Sequence, residues 1–249
     1  MVEFEPIERP KEIYKYESLS TAELIIFNQT IKFTFPGKFN DPFDCNLENV
    51  YFKFSERMDP LVIQEIDILK KEFGRLLSDE MLLRAYQESL NNKLRNAAVS
   101  CFSLRKDNTL MWSHYADKHS GICLQFDFLF EKPFLDVKIA LEGTVDYGFG
   151  DPINYLEDKK AGLWRAFLTK SIDWQYEKEL RFLTLQGEQA YKYKPEFLRK
   201  IIFGINCKKS EIEGIISCCK QQNLLHLKFE KANKHEGNIV FSGIGAGRL

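Results

Sequence analysis

Hydrophobic positions along this chain fall mostly into short alternating runs, interrupted by a few longer helical stretches. IYKYES (13–18) reads as a first strand or turn, and IKFTF (31–35) alternates with the period of two of a half-buried strand. Between them Ser20 is a candidate N-cap for a short helix over 21–28. Pro36 and Gly37 then turn the chain into a polar loop, KFNDPFDCN. From 60 to 97 the pattern is helical: DPLVIQEIDILKKEF brings Leu61, Ile66 and Leu69 near one face, and SDEMLLRAYQESLNNKL opens on a Ser78/Asp79 cap signal. Short strands at 98–103 and 121–128 flank TLMWSHYADKHS, which reads as a short helix. Further strands are expected at 134–139, 143–147 and 174–185, with a helix over about 158–170 before the last, and 199–232 reads as strand, helix, strand. Many short strands with a few helices predict an α+β fold. The expected architecture is one domain over 1–249, built on a mixed or antiparallel sheet, with 60–97 as a helical insertion.

Composition narrows the class. The length of 249 residues allows a sizeable core, and 21 Phe with 10 Tyr imply large side chains within it. The formal net charge of −1 gives no global reason to expect nucleic-acid or membrane affinity. No window is apolar enough for a membrane span, and MVEFEPIERPKEIYKY lacks the apolar region of a signal peptide, so the expected location is the cytoplasm. Cys45, Cys101, Cys123, Cys207, Cys218 and Cys219 include no C-x-x-C pair and read as reduced, small core residues.

The stretch CFSLRKDNTLMWSHYADKHSGICLQFD (101–127) concentrates rare side chains. His114 and His119 stand five residues apart, not at the i, i+4 spacing of ligands on one helical face, so no metal site is expected. Cys101 and Cys123 sit mid-strand among apolar neighbours, where an inert thiol is the common case. The stretch makes better sense as a platform. On a helix Met111 and Tyr115 share one face, Leu110 and His114 another, and Trp112 lies beside Tyr115 or Ala116. Such a cluster can stack on a planar ligand while His114 and His119 supply hydrogen bonds, or Met111 and Trp112 can simply be core.

Two further segments carry candidate chemistry. Read as a strand, WQYEKELRF (174–182) puts Trp174, Tyr176, Lys178, Leu180 and Phe182 on one face and Gln175, Glu177, Glu179 and Arg181 on the other. The polar face is either a solvated surface with a weak Glu179–Arg181 pair or the wall of a cleft in which paired carboxylates perturb one another. In FNDPFD (39–44), Pro42 biases Asp41 away from helix, Phe39 and Phe43 would anchor the loop, and Asp41 and Asp44 would stand exposed.

YKYES, FNDPFDC, SCFSLRKDNTLMWSHYADKHSGICLQFD and WQYEKELRF, in this order, resemble a bacterial family called domain of unknown function twenty-nine seventy-one, from about residue 13 to 185 and with the tail included. The order of elements is also similar, more distantly, to the ADP-ribosyltransferases and their DNA-modifying toxin relatives. That resemblance implies an ADP-ribosyltransferase-like fold and a site in which a first-strand residue holds the nucleotide. Tyr14, Lys15 or Tyr16 would take that place, Trp112, His114 or Tyr115 the nicotinamide-stacking place, and Glu177 or Glu179 the ribose. The departures are that YKY contains no His or Arg, and that CFS, with Ser103, is only loosely like the middle Ser/Tyr motif.

The resemblance thus implies Glu177, Glu179 and His114 as catalytic residues. It implies Tyr14, Lys15, Tyr16, Asn40, Asp41, Ser103, Trp112, Tyr115, His119 and Arg181 as ligand-binding ones, with Arg181 or His119 near a diphosphate. NAD would be the cofactor or substrate of a transferase or glycohydrolase acting as a toxin or anti-phage effector. It would have a nucleotide or small-molecule ligand, a macromolecular acceptor and an antitoxin or defence partner, and no membrane. Two other readings remain: a non-catalytic ligand-sensing or protein-binding module, and a metal-dependent nuclease using Asp41, Asp44, Glu177 and Glu179.

Overall fold

Short local signals start and stop most of the elements. The computed structural model describes residues 10–74, 77–127 and 132–245; the ends of the expected 1–249 span and position 128 of the expected strand 121–128 lie outside them. β1 (Ile13–Glu17) leads into α1 (Leu19–Asn28) and β2 (Thr30–Phe33). Ser18, not Ser20, caps α1: its hydroxyl accepts from Thr21 N, and the helix ends at Gln29 in the left-handed region. After β3 (Val50–Tyr51) the helical insertion divides into α2 (Pro60–Phe73) and α3 (Asp79–Arg95), capped by Asp59 and Ser78. The buried stripe of α2 runs through Val62 and Ile66 with Leu69 packed beside them, so Leu61 is exposed and the expected face is turned by one position.

β4 (Ala98–Ser103), α4 (Thr109–Tyr115) and β5 (Ile122–Phe126) follow, and the Asn108 side chain caps α4 by accepting from Leu110 N and Met111 N. The strand expected at 134–139 is displaced: Phe134 makes only an isolated bridge to Tyr193, and β6 (Ile139–Thr144) begins where that strand was to end. Next come β7 (Asp146–Tyr147), β8 (Ile153–Asn154), α5 (Lys159–Phe167) and β9 (Thr169–Lys170). The strand expected at 174–185 starts only at Glu179, as β10 (Glu179–Thr184). Ile172–Glu177 wind into a 3-10 turn capped by Ser171, and Lys178 adopts φ +46°, which reverses the chain into β10. β11 (Gln189–Lys192), β12 (Leu198–Phe203), α6 (Lys209–Gln221) and β13 (Lys228–His235) complete the expected tail, and β14 (Asn238–Gly243) extends it by one hairpin strand.

Eight strands form one mixed sheet in the order β14-β13-β12-β5-β1-β4-β10-β6. Within this sheet only β12 and β13 pair in parallel, as their crossover through α6 requires; the two-residue pairs β3–β8 and β7–β9 outside it are also parallel. Helices α1 and α6 cover one face, where Ile25 and Ile26 meet a core that includes Phe102, Phe182, Ile215 and Ile216. The other face is covered by the insertion and α5 at the β6–β10 end. Toward the middle of the sheet, over β1 and β12, α4 packs on Tyr14, Tyr16 and Ile202. The fold class is therefore α+β around one principal sheet.

The sheet is not continuous at its centre. β1 pairs with β5 along its whole length but with β4 only at Tyr14–Ser103. Farther along β4, Val99 exchanges both backbone hydrogen bonds with Thr34, at 2.9 and 3.0 Å. Between these two points β1 and β4 separate.

Candidate functional site

A cleft of about 270 Å³ opens at this separation. Tyr14, Lys15, Tyr16 and Glu17 from β1 line one side, and Ser100, Cys101 and Ser103 from β4 the other. Asn40, Tyr115, Lys170, Glu177 and Glu179 close the end that lies under α4 and the 3-10 turn. That turn is sewn to β4 and α4: Ser103 Oγ donates to Glu177 O at 2.6 Å, Leu104 N to Lys178 O at 2.8 Å, and Asn108 Nδ2 to Tyr176 O at 2.7 Å. The left-handed kink at Lys178 then points the Glu177 and Glu179 side chains at the same place although only one of them lies on a strand.

A buried charge network fills the floor. Lys170 Nζ donates to Glu177 Oε2 at 2.5 Å and Glu179 Oε1 at 2.7 Å, and lies 3.5 Å from Asp44 Oδ2. Arg181 gives Nε to Glu179 Oε2 at 2.6 Å, a two-pronged contact to Asp44 at 2.8 and 2.7 Å, and Nη1 to Phe167 O at 2.8 Å. Tyr115 Oη donates to Glu177 Oε1 at 2.5 Å, and Tyr147 Oη accepts from Glu179 N at 2.8 Å. Three carboxylates thus share two cations, all five side chains being almost fully buried.

Two negative charges balance the two cations, and a third would be an uncompensated buried charge. The imbalance falls on Glu177. Burial pushes its carboxyl up to about 8, with the hydrogen bond and charge of Glu179 adding to the rise against the pull of Lys170. Burial also works against the charge on Glu179, but Arg181, the hydrogen bond from Glu177 and Lys170 hold it well below the usual carboxylate range. Lys170 is raised above its ordinary value, the two glutamates outweighing its burial. Adjacent carboxyls driven apart in this way can act as one exchangeable proton carrier and one fixed anion.

The residues expected from the sequence divide into two groups. Tyr14, Lys15, Tyr16, Asn40, Ser103, Tyr115, Glu177 and Glu179 come together at the cleft. The two β1 tyrosines turn their hydroxyls elsewhere, Tyr14 to Glu12 at 2.6 Å and Tyr16 to Arg105 O at 2.8 Å. Trp112 does not reach the cleft: it is fully buried behind it, edge-on to Tyr16 at 5.2 Å, with Nε1 donating to Lys106 O at 2.8 Å. Its stacking on a ligand is closed off, and Tyr115 is the aromatic of α4 that faces the site. His114 lies outside on the exposed side of α4, 3.0 Å from Tyr176 Oη through Nδ1. His119 sits in a left-handed turn whose carbonyl accepts from Asn206 N at 2.9 Å, away from the cleft. Arg181 is fully committed to the network and has no arm for a diphosphate.

The loop at 39–44 also differs from its sequence reading. Asp41 and Asp44 are buried, not exposed, and of the two aromatics only Phe39 packs inward while Phe43 is exposed. Asp41 accepts from Phe43 N at 2.9 Å and so shapes the turn that delivers Asp44 to Arg181. Among the described residues no group of three or more His, Cys, Asp or Glu side chains is arranged to hold a metal ion. No described helix is long and apolar enough to cross a membrane.

Lys170, the hub of the network, was not legible in the sequence. It lies seven and nine positions before the glutamates, on a two-residue strand that pairs with β7, and no period links them. Thr34, Ser100 and Cys101 reach the site only through the separation of β1 from β4.

No curated protein and no solved structure matches the chain. A family model does, over the stretch that carries Tyr115, Lys170, Glu177 and Glu179: residues 111–182 match DUF2971, a family described as a protein of unknown function, and the resemblance read from the motifs is shown over that part of the expected 13–185.

Proposed function

We propose that this chain is an enzyme acting at the N-glycosidic bond of a nucleotide, with NAD the first substrate to test. The observation that carries this reading is the divided carboxyl pair, in which Glu177 exchanges its proton near neutrality and Glu179 stays anionic beside it. A base is most effective when its pKa lies near the working pH. Glu177, in its ionised form, takes the proton of an attacking water or acceptor hydroxyl as that oxygen bonds to the anomeric carbon. The C–N bond breaks in the same reaction and its electron pair leaves with the nicotinamide ring. Glu179 supplies fixed negative charge near the sugar, where positive charge builds. Tyr115 orients Glu177 and offers its ring to the ligand.

The cleft, at about 270 Å³, lies just under the roughly 300–1,000 Å³ typical of sites for drug-sized ligands. It suits a ring and a ribose, so the remainder of a dinucleotide would lie across the mouth. Such an activity would accord with a toxin or anti-phage effector that consumes or transfers from NAD.

The test is nicotinamide release from NAD by the purified protein, beside Glu177→Gln and Glu179→Gln variants. Release by the wild type that falls at least a hundredfold in the Glu177 variant supports the reading. Absence of release, with water and with candidate macromolecular acceptors, refutes it. Binding of nucleotide without release, unchanged in the variants, would identify the cleft as a ligand sensor. The internal compensation of all charges but one favours that second reading.

A further inference from the structure

The split between β1 and β4 leaves hydrogen-bonding groups that neither strand uses. Val99 turns both its backbone groups toward Thr34. The two-residue period of a strand therefore turns Cys101 N–H and C=O to the same side. Cys101 stands opposite Arg181 of β10 on its other side, but Tyr14–Ser103 is the only ladder position β4 shares with β1, so on the β1 side no paired strand meets Cys101. Its carbonyl is taken by Lys15 Nζ at 3.1 Å, but its N–H faces the cleft. Lys15 lies over the Phe102 ring at 5.2 Å, on the face of β4 that also carries Ser100. Ser100 Oγ is buried beside the cleft with no hydrogen-bond partner.

We propose that this split is a subsite for an anionic oxygen group of the ligand, a phosphate or a carboxylate, held by Lys15, the Cys101 N–H and Ser100 Oγ. An ammonium, an unpaired backbone donor and an unpaired hydroxyl converging in one place match such a group. Glu17 is its internal competitor: it lines the same cleft and stands 3.5 Å from Lys15 Nζ. That contact is longer than a charge-assisted hydrogen bond, and the carboxylate is one-fifth exposed, so an arriving anion displaces it to solvent at small cost. The second lysine of the rim, Lys32, is occupied by Glu188 at 3.2 Å. Arg181, bound on all sides, takes no part. The inference rests on the cleft being the ligand site, and is independent of the reaction proposed for Glu177.

The six cysteines make a direct test possible, because labelling cysteine with nitrogen-15 yields one amide signal for each. Pyrophosphate and malonate are titrated in turn into the full chain at constant ionic strength, with chloride as the control. The Cys101 amide is expected to shift saturably with one of the two anions and not with chloride, and the one that binds more tightly identifies the source of the group. Lys15→Met should weaken that binding at least tenfold, Lys15→Arg should retain it, and Glu17→Gln should tighten it. The signals of Cys207, Cys218 and Cys219, which lie away from the cleft, report whether each variant keeps its fold. A Cys101 signal unmoved by both anions overturns the proposal, as does an equal response in Lys15→Met with the other signals in place. Either result leaves the nicotinamide-release test standing on its own.

Discussion

Replacing Glu177 with Gln should stabilise the protein at neutral and alkaline pH and leave it unchanged in acid. Glutamine has the shape of the protonated glutamic acid: its oxygen can accept from Lys170 while its amide faces Tyr115 Oη. The ordinary carboxyl value of 4.5 rises to about 8 in the folded protein, first through burial and then through Glu179. Below 4.5 the folded and unfolded chains both hold the proton, and the glutamate costs nothing relative to its neutral isostere. Between 4.5 and about 8 the folded protein keeps a proton that the unfolded chain has released, so stability falls as pH rises, by about 1.4 kcal/mol per unit. Above about 8 both states are ionised and the difference is constant. At about pH 7 the variant should be more stable by on the order of 3 kcal/mol. For a chain of this size that is a rise in Tm of roughly 6–12 °C.

The assay is thermal unfolding of both proteins by calorimetry at about pH 5, 7 and 9, with the calorimetric and van't Hoff enthalpies compared to establish a single transition. The two Tm curves should nearly meet at the acid end and diverge upward. Parallel curves across the range, or a variant less stable at alkaline pH, would refute the assignment of the excess proton to Glu177. The charge balance of the network would then have to be redrawn.

The neighbouring carboxylate should behave in the opposite sense: Glu179→Gln takes one anionic partner from Arg181, which keeps Asp44, and one from Lys170, costing about 3–5 kcal/mol in denaturant unfolding at neutral pH, a loss that shrinks as pH falls through the carboxylate range. If Glu177 is the base, nicotinamide release should climb with pH through about 8 and level off above it, and a profile falling over that range would assign it the role of acid instead. Gly204→Ala should cost about 1–3 kcal/mol or more, since a Cβ there would lie 2.1 Å from the His119 carbonyl oxygen, and unchanged thermal unfolding would show that the turn beyond α4 can shift.

Much of this architecture follows from local chemistry, which explains where the sequence reading succeeds. Ser78, Pro36-Gly37 and the alternation of AVSCFS act within a few residues of themselves, and such signals survive folding unchanged. Local signals fail where a distant partner decides the outcome. WQYEKELRF alternates well enough to be a strand, yet Ser103, Leu104 and Asn108 bind the backbone carbonyls of residues 176–178 and hold the first half as a turn. The two glutamates converge all the same, because the left-handed Lys178 restores with one dihedral what the lost strand period would have supplied. Arg181 gives the larger lesson. On a solvated strand its pairing with Glu179 would be nearly worthless; buried against Asp44, which lies 137 positions away in the chain, it ties the loop to the sheet and holds Glu179 ionised. Had Arg181 been free for a phosphate, Asp44 and Glu179 would have been left to share Lys170 alone, with one buried anion uncompensated. The cation that holds the fold is thus unavailable to the ligand, and the burden of meeting a negative group passes to Lys15 in the split between the strands.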